Sequence, residues 1–167
     1  MIIVVFGLPG SGKSYFAQRL AYLLSARYEN SDRIRRELFA LRDYSAAEKN
    51  AVYDEILRRM LEAANRNEHI VLDATFYQEH MRERFIQSAS GSGREVIFME
   101  IVAEEDIVKS RLMKPREYSE ADYAVYLRLK AIFEPFQGKH LVLESTNDNI
   151  EQMLSKAMAY IDNIHEK

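Results

Sequence analysis

The chain of 167 residues contains no cysteine. Disulfides, thiolate metal sites and a cysteine nucleophile are therefore excluded, and a reducing compartment is compatible with the composition. Long hydrophobic runs are also missing. The stretch Met1-Ile2-Ile3-Val4-Val5-Phe6-Gly7 is apolar but short and has no basic start, so it reads neither as a signal peptide nor as a membrane span. An excess of positive charge is lacking too: the net charge is −3 and the pI about 5.9. Proteins that grip long nucleic acids are basic over a whole face, so this balance argues against coating DNA or RNA. It leaves room for a narrow basic cleft. No repeat, linker or low-complexity tract interrupts the chain. His69, His80, His140 and His165 are scattered without metal-ligand spacing. With 47% hydrophobic residues there is enough apolar material for a real core. The expectation is one α/β domain spanning 1–167, cytoplasmic, with no membrane partner.

What is present alternates between two periodicities. Ile2–Phe6 is a continuous apolar run, the pattern of a strand buried on both faces. Lys13–Ala26 carries Phe16, Leu20, Leu23 and Leu24 on one helical face. A short strand is expected near Tyr28–Asn30, then a helix from about Asp32 to Ala40. Ser45-Ala46-Ala47-Glu48 has capping-box spacing and opens a helix to about Asn67. Strands at Ile70–Asp73, Val96–Val102 and His140–Leu143 follow, with helices at about Gln78–Ala89, Glu105–Met113, a segment capped by Ser119 and running to Ile132, and Ile150–Ile164. The small residues Ser88-Ala89-Ser90-Gly91-Ser92-Gly93 read as a surface loop. Strands alternating with helices predict a parallel sheet of about five strands covered on both faces. Ligands in such sheets bind at the carboxyl ends of the strands. Gly7, Asp32 and Asp73 fall at three such ends.

Gly7-Leu8-Pro9-Gly10-Ser11-Gly12-Lys13-Ser14 matches G-x-x-x-x-G-K-[ST] at every fixed position, after a predicted strand and before a predicted helix. The glycines let the backbone turn its N–H groups inward as an anion nest, and the helix N-terminus adds partial positive charge. Lys13 reaches the β- and γ-phosphates, and the Ser14 hydroxyl is a ligand for Mg²⁺. The implied cofactors are ATP and Mg²⁺.

A phosphate loop alone does not name the reaction. An ATP-driven motor places Glu after the Asp of its third strand, and here Ala74 follows Asp73. A GTP switch carries N-K-x-D, which the chain lacks. Asp32 offers a carboxylate across the crevice that can take the proton of an attacking hydroxyl. The same residue also suits the N-cap of the following helix. Arg35 and Arg36 lie one turn later, where a guanidinium holds an acceptor phosphate or fixes a carboxylate.

Gly7–Ser14, Asp32-Arg33-Ile34-Arg35, Val71-Leu72-Asp73-Ala74-Thr75 and the stretch from Arg111 to Ala121 together resemble the small P-loop kinases grouped with the kinase domain of phage polynucleotide 5′-kinase. Zeta-toxin and gluconate-kinase types are similar at greater distance. The resemblance covers roughly Met1 to Phe136, and D-x-x-R is its more diagnostic element. It implies a three-layer P-loop NTPase fold and γ-phosphoryl transfer to a hydroxyl acceptor, such as a 5′-OH polynucleotide end. It casts Asp32 as general base and Arg35 as the acceptor-side arginine. Asp73 either orients that arginine or the acceptor, or acts as a Walker B carboxylate through Mg²⁺-bound water. Arg111-Leu112-Met113-Lys114-Pro115-Arg116 looks like the arginine-bearing lid of such kinases, at about 111–118. Arg116 ranks ahead of Arg111 as the transition-state arginine, and a solvated basic turn is the plainer reading. Tyr15 departs from the family, which favours Thr or another small residue after Ser14. Tyr118, Tyr123 and Tyr126 suit ordinary helix packing better than base stacking. Alternatives are a kinase of a small metabolite or nucleotide, and a P-loop ATPase or switch.

Overall fold

The computed structural model describes residues 1–115 and 119–165. Five parallel strands form one sheet in the order β2-β3-β1-β4-β5. They are β1 (Ile2–Phe6), β2 (Arg27–Asn30), β3 (Ile70–Asp73), β4 (Val96–Val102) and β5 (Leu141–Glu144). The helices are α1 (Lys13–Leu23), α2 (Ser31–Leu38), α3 (Ala46–Asn65), α4 (Glu79–Gly91), α5 (Glu105–Leu112), α6 (Tyr123–Ile132) and α7 (Ile150–His165).

Helices on both faces explain the unbroken apolar strands. In β1, Ile2, Val4 and Phe6 enter one core with α2, α3 and α4, while Ile3 and Val5 enter another with α1 and α7. Successive strand side chains point to opposite faces, so a strand covered twice needs apolar residues at every position. A third, smaller cluster joins Val108 and Leu112 of α5 to Tyr126 of α6. The expected three-layer architecture is therefore present.

Several expected boundaries differ. Helix α1 stops at Leu23 rather than Ala26, and Ser25 adopts a positive φ of 48° as the chain turns into β2. The Ser88–Gly93 stretch is not a free loop, since α4 continues through Gly91. Ser119 does not cap α6: Asp122 does, accepting the Val125 N–H at 2.9 Å. The Ser45 cap is present, with Oγ accepting the Glu48 N–H at 3.1 Å. Its reciprocal half is not. The Glu48 carboxylate turns instead to Arg35 Nη1 at 2.6 Å and to the Asp43 N–H at 2.7 Å. Tyr123 and Tyr126 stack on each other at 5.6 Å, with Tyr126 buried, so their role is packing.

The central strand is β1, flanked by β3 on one side and β4 on the other. The chain thus reverses its direction of sheet growth at β1, and the crevice at that switch point lies at the end of the strand that carries the glycine-rich loop.

Candidate active site

Gly7, Gly10 and Gly12 have φ of 148°, 78° and 90°, a backbone that side-chain-bearing residues rarely adopt. At Gly7 a Cβ would sit 2.3 Å from the Ile101 carbonyl oxygen, and at Gly12 it would sit 2.7 Å from Ser145 Oγ. The motif glycines are therefore required by both torsion and space. Lys13 and Ser14 begin α1 directly after this turn.

The loop opens into a cleft of about 780 Å³. One wall carries Lys13, Ser14, Tyr15 and Gln18; a second carries Tyr28, Asn30, Asp32 and Arg33; Arg111, Lys114, Pro115 and Ser119 close a third side; Ser145, Thr146, Asn147 and Asn149 line the fourth. A cleft of this size holds a nucleotide-sized ligand.

Asp32 is partly buried in the first turn of α2. It is not the helix cap, because Asn30 accepts the Arg33 N–H at 2.9 Å in that position. The capping alternative for Asp32 is thus overturned, and its carboxyl is left for other work. Burial raises its pKa above the ordinary carboxylate range, opposed by the nearby Lys13 charge; Asp73 raises it further, while Arg35 and a hydrogen bond from Ser119 pull it down.

Asp73 ends β3 and is almost fully buried. Tyr28 donates its hydroxyl to Oδ2 at 2.7 Å, and Asn30 donates Nδ2 to the same oxygen at 2.6 Å. Burial, together with the neighbouring Asp73 charge, drives the Tyr28 pKa upward, so the phenol stays a donor. Oδ1 of Asp73 is buried without a partner. Asn30 Nδ2, which holds Oδ2, also approaches Ser14 Oγ at 3.5 Å and so links the carboxylate to the start of α1. An orphan carboxylate oxygen and a hydroxyl beside a phosphate nest fit Mg²⁺. Among the described residues no group of three or more His, Asp or Glu is placed to hold a metal.

Arg35 is not in the cleft. It is largely buried in an ion pair with Glu48, with its guanidinium 5.0 Å from the Tyr44 ring. The cleft receives Arg33 instead. Arg36 reaches Glu120 at 4.0 Å, and Arg42 and Tyr44 also bind that carboxylate. Arg111 bridges loops: it donates to the Gly10 carbonyl at 3.2 Å, to the Thr146 carbonyl at 2.8 Å and to Ser145 Oγ at 3.1 Å. Arg116 and Tyr118 lie outside the described residues. Residues on either side of them, Pro115 and Ser119, line the same cleft as Lys13 and Asp32. Tyr15 is half-exposed, with the Arg19 guanidinium 3.4 Å over its ring.

Sequence reasoning missed Asn30, Tyr28 and the Ser145–Asn149 loop. Asn three residues before Arg33 was a readable cap signal, and a polar cluster after β5 was a readable strand-end loop. Nothing in the sequence tied Tyr28 to Asp73.

Solved structures share this fold. A gluconokinase from Sinorhizobium meliloti 1021 superposes with a TM-score of 0.76 at 17% identity, covering 99% of this chain and 93% of that one. An APS kinase of Mycobacterium tuberculosis in complex with AMPPNP and APS gives 0.70 at 18% identity, covering 96% and 97%. Kti12 of Chaetomium thermophilum in complex with ADP-AlF3 gives 0.67 at 18%, covering 95% and 98%. At these identities the likeness concerns the P-loop NTPase fold. No curated protein matches the sequence. The model of one family matches residues 2–136, most of the chain and all of the phosphate loop, so the chain belongs to the AAA domain family AAA_33.

Proposed function

We propose that this chain is a kinase that transfers the γ-phosphoryl group of ATP to a hydroxyl-bearing acceptor. The observation that carries the reading is Asp32: a carboxyl released from capping, partly buried, and close enough to Lys13 to feel its charge. A carboxylate at the start of α2, lining the same cleft as Lys13, is placed to receive the proton of an acceptor hydroxyl. In the reaction Asp32 accepts the hydroxyl proton as the acceptor oxygen forms its bond to the γ-phosphorus. The bond from that phosphorus to the β–γ bridging oxygen breaks, and ADP leaves. Lys13 and the inward N–H groups of Gly7–Ser14 neutralise charge on the β- and γ-phosphates. Ser14 and Asp73 would hold Mg²⁺, which when bound neutralises further charge on the phosphate oxygens. Arg116 is the proposed transition-state arginine, and Arg111 is its runner-up.

The acceptor has two readings. A 5′-OH polynucleotide end follows from the D-x-x-R resemblance, with Arg35 holding a neighbouring phosphate. The Arg35–Glu48 pair favours a small metabolite or nucleotide instead, because that guanidinium is already engaged by a buried carboxylate. The gluconokinase and APS kinase likenesses support the small-acceptor reading. Incubation with γ-labelled ATP and a panel of sugars, nucleosides, nucleoside monophosphates and 5′-OH oligonucleotides tests both. Label on any hydroxyl acceptor, lost in Lys13→Ala, supports the kinase. Steady release of inorganic phosphate with no labelled acceptor would point to an ATPase or switch.

A further inference from the structure

One side chain touches both halves of the site. Asn30 is the last residue of β2 and pairs in register with Asp73 at the end of β3. Its Oδ1 accepts the Arg33 N–H and starts α2, the helix that carries Asp32. Its Nδ2 donates to Asp73 Oδ2 at 2.6 Å and reaches Ser14 Oγ at 3.5 Å. We propose that Asn30 is a positioning residue that holds the Asp73 carboxylate beside the Ser14 hydroxyl for the metal–nucleotide while fixing the helix that presents Asp32. The proposal rests on the nucleotide and Mg²⁺ reading above.

The chemistry of the side chain explains the choice. Ser, Thr, Asp and Asn all cap helices well. Of these, Asn alone offers a separate acceptor and donor atom on one short arm. An ionised Asp would put a second carboxylate against Asp73 and donate nothing. Ser or Thr would satisfy the cap from an arm too short to span to the neighbouring strand as well.

Tyr28 donates to the same oxygen. Both donors on Oδ2 fix the carboxylate plane, and Oδ1 remains buried and unpartnered. A carboxylate held in one orientation beside Ser14 Oγ keeps its charge fixed next to the hydroxyl that would bind the cation. Partners of this outer kind typically carry about 10–100-fold of metal affinity.

The test separates capping from metal positioning. Mn²⁺ is titrated into the full chain with AMPPNP bound, and free Mn²⁺ is read by electron paramagnetic resonance; the thermal midpoint is recorded in parallel. Asn30→Ser and Asn30→Thr keep a capping oxygen and remove the amide donor. Both should bind Mn²⁺ about 10–100-fold more weakly, with midpoints near that of the wild type. Asn30→Ala should weaken Mn²⁺ equally and also lower the midpoint. Wild-type Mn²⁺ affinity in Asn30→Ser and Asn30→Thr would reduce Asn30 to a cap and overturn the proposal. No Mn²⁺ uptake by the wild-type complex would overturn this proposal and the nucleotide reading together. Because the readout needs no turnover, a failure to label any acceptor would remove only the kinase reading.

Discussion

At the scale of single residues, the cleft concentrates charge where burial is unfavourable to it. Asp32 illustrates the consequence. Its pKa is raised in the folded chain, so the folded state binds its proton more tightly than the unfolded state does. Stability from this group is present at low pH and is lost as pH rises through the folded pKa. Above the folded pKa the ionised carboxylate is therefore a net liability to the fold. Asp32→Asn should raise the thermal midpoint slightly while slowing transfer by about 10²–10⁴-fold with nucleotide affinity kept. The activity itself needs the ionised form, so kcat/KM should fall on the acid side around a pKa above the usual aspartate range. A variant with normal transfer rates would end the general-base assignment. Glu48 shows the opposite case, a buried charge that is matched. Glu48→Ala would leave the largely buried Arg35 guanidinium unpaired and cost about 3–5 kcal/mol, read from denaturant unfolding. A loss under 1 kcal/mol would mean that Arg35 swings out to solvent, where it would be available to an acceptor.

At the scale of elements, the third wall of the cleft is held from both ends. Arg111, in the last turn of α5, ties that helix to the phosphate loop and to the loop after β5. These contacts place it against the phosphate loop. Arg111→Ala should chiefly weaken ATP binding, whereas Arg116→Ala should lower kcat by up to about 10³–10⁵-fold if Arg116 supplies transition-state charge. Single-turnover rates at saturating ATP distinguish the two; a larger rate loss in Arg111→Ala than in Arg116→Ala would exchange the assignments. The segment before α6 is fastened by Glu120, which binds Arg42 and Tyr44 in the α2–α3 connection. Helix α2 is the other element whose placement matters. Its eight residues are too few to be stable alone. Asn30 at its start, together with Ile34 buried in the core, gives it the fixed start that Asp32 requires.

At the scale of the whole molecule, many arginines among the described residues are engaged by carboxylates of the same chain. Arg59 alone engages Glu29, Glu37 and Glu55, and Arg27 engages Glu29 and Glu62. With a net charge of −3, no long track for a phosphate backbone follows. If an oligonucleotide end is bound, log K against log salt should have a slope no steeper than about −1.5, the value for roughly two phosphate contacts on a single strand. A slope near −4 measured by fluorescence anisotropy would reveal a strand-binding surface instead. Among the described residues, no helix is long and apolar enough to cross a membrane. Much of this architecture is legible in one dimension. The strand Ile2–Phe6 can be read residue by residue, because double burial demands an unbroken apolar run; Ile70–Asp73 and Val96–Val102 read nearly as well, with Asp73 ending one and half-buried Glu100 inside the other. The phosphate loop is legible for a similar reason, since torsions and close approach at Gly7, Gly10 and Gly12 admit no other residue. Those constraints select the residue type position by position, even where the crowding neighbour is as distant as Ile101 or Ser145, so the sequence by itself carries them. It does not choose between Asn30 and Asp32 as the cap of α2, nor does it determine where Arg35 points or which oxygen of Asp73 stays free. Asn30 and Asp73 lie 43 residues apart and meet only through the parallel register of β2 on β3. Glu48 lies 13 residues beyond Arg35 and captures it only once α3 packs against α2. Hydrogen-bond partners compete for a side chain in space, and that competition is settled by tertiary packing.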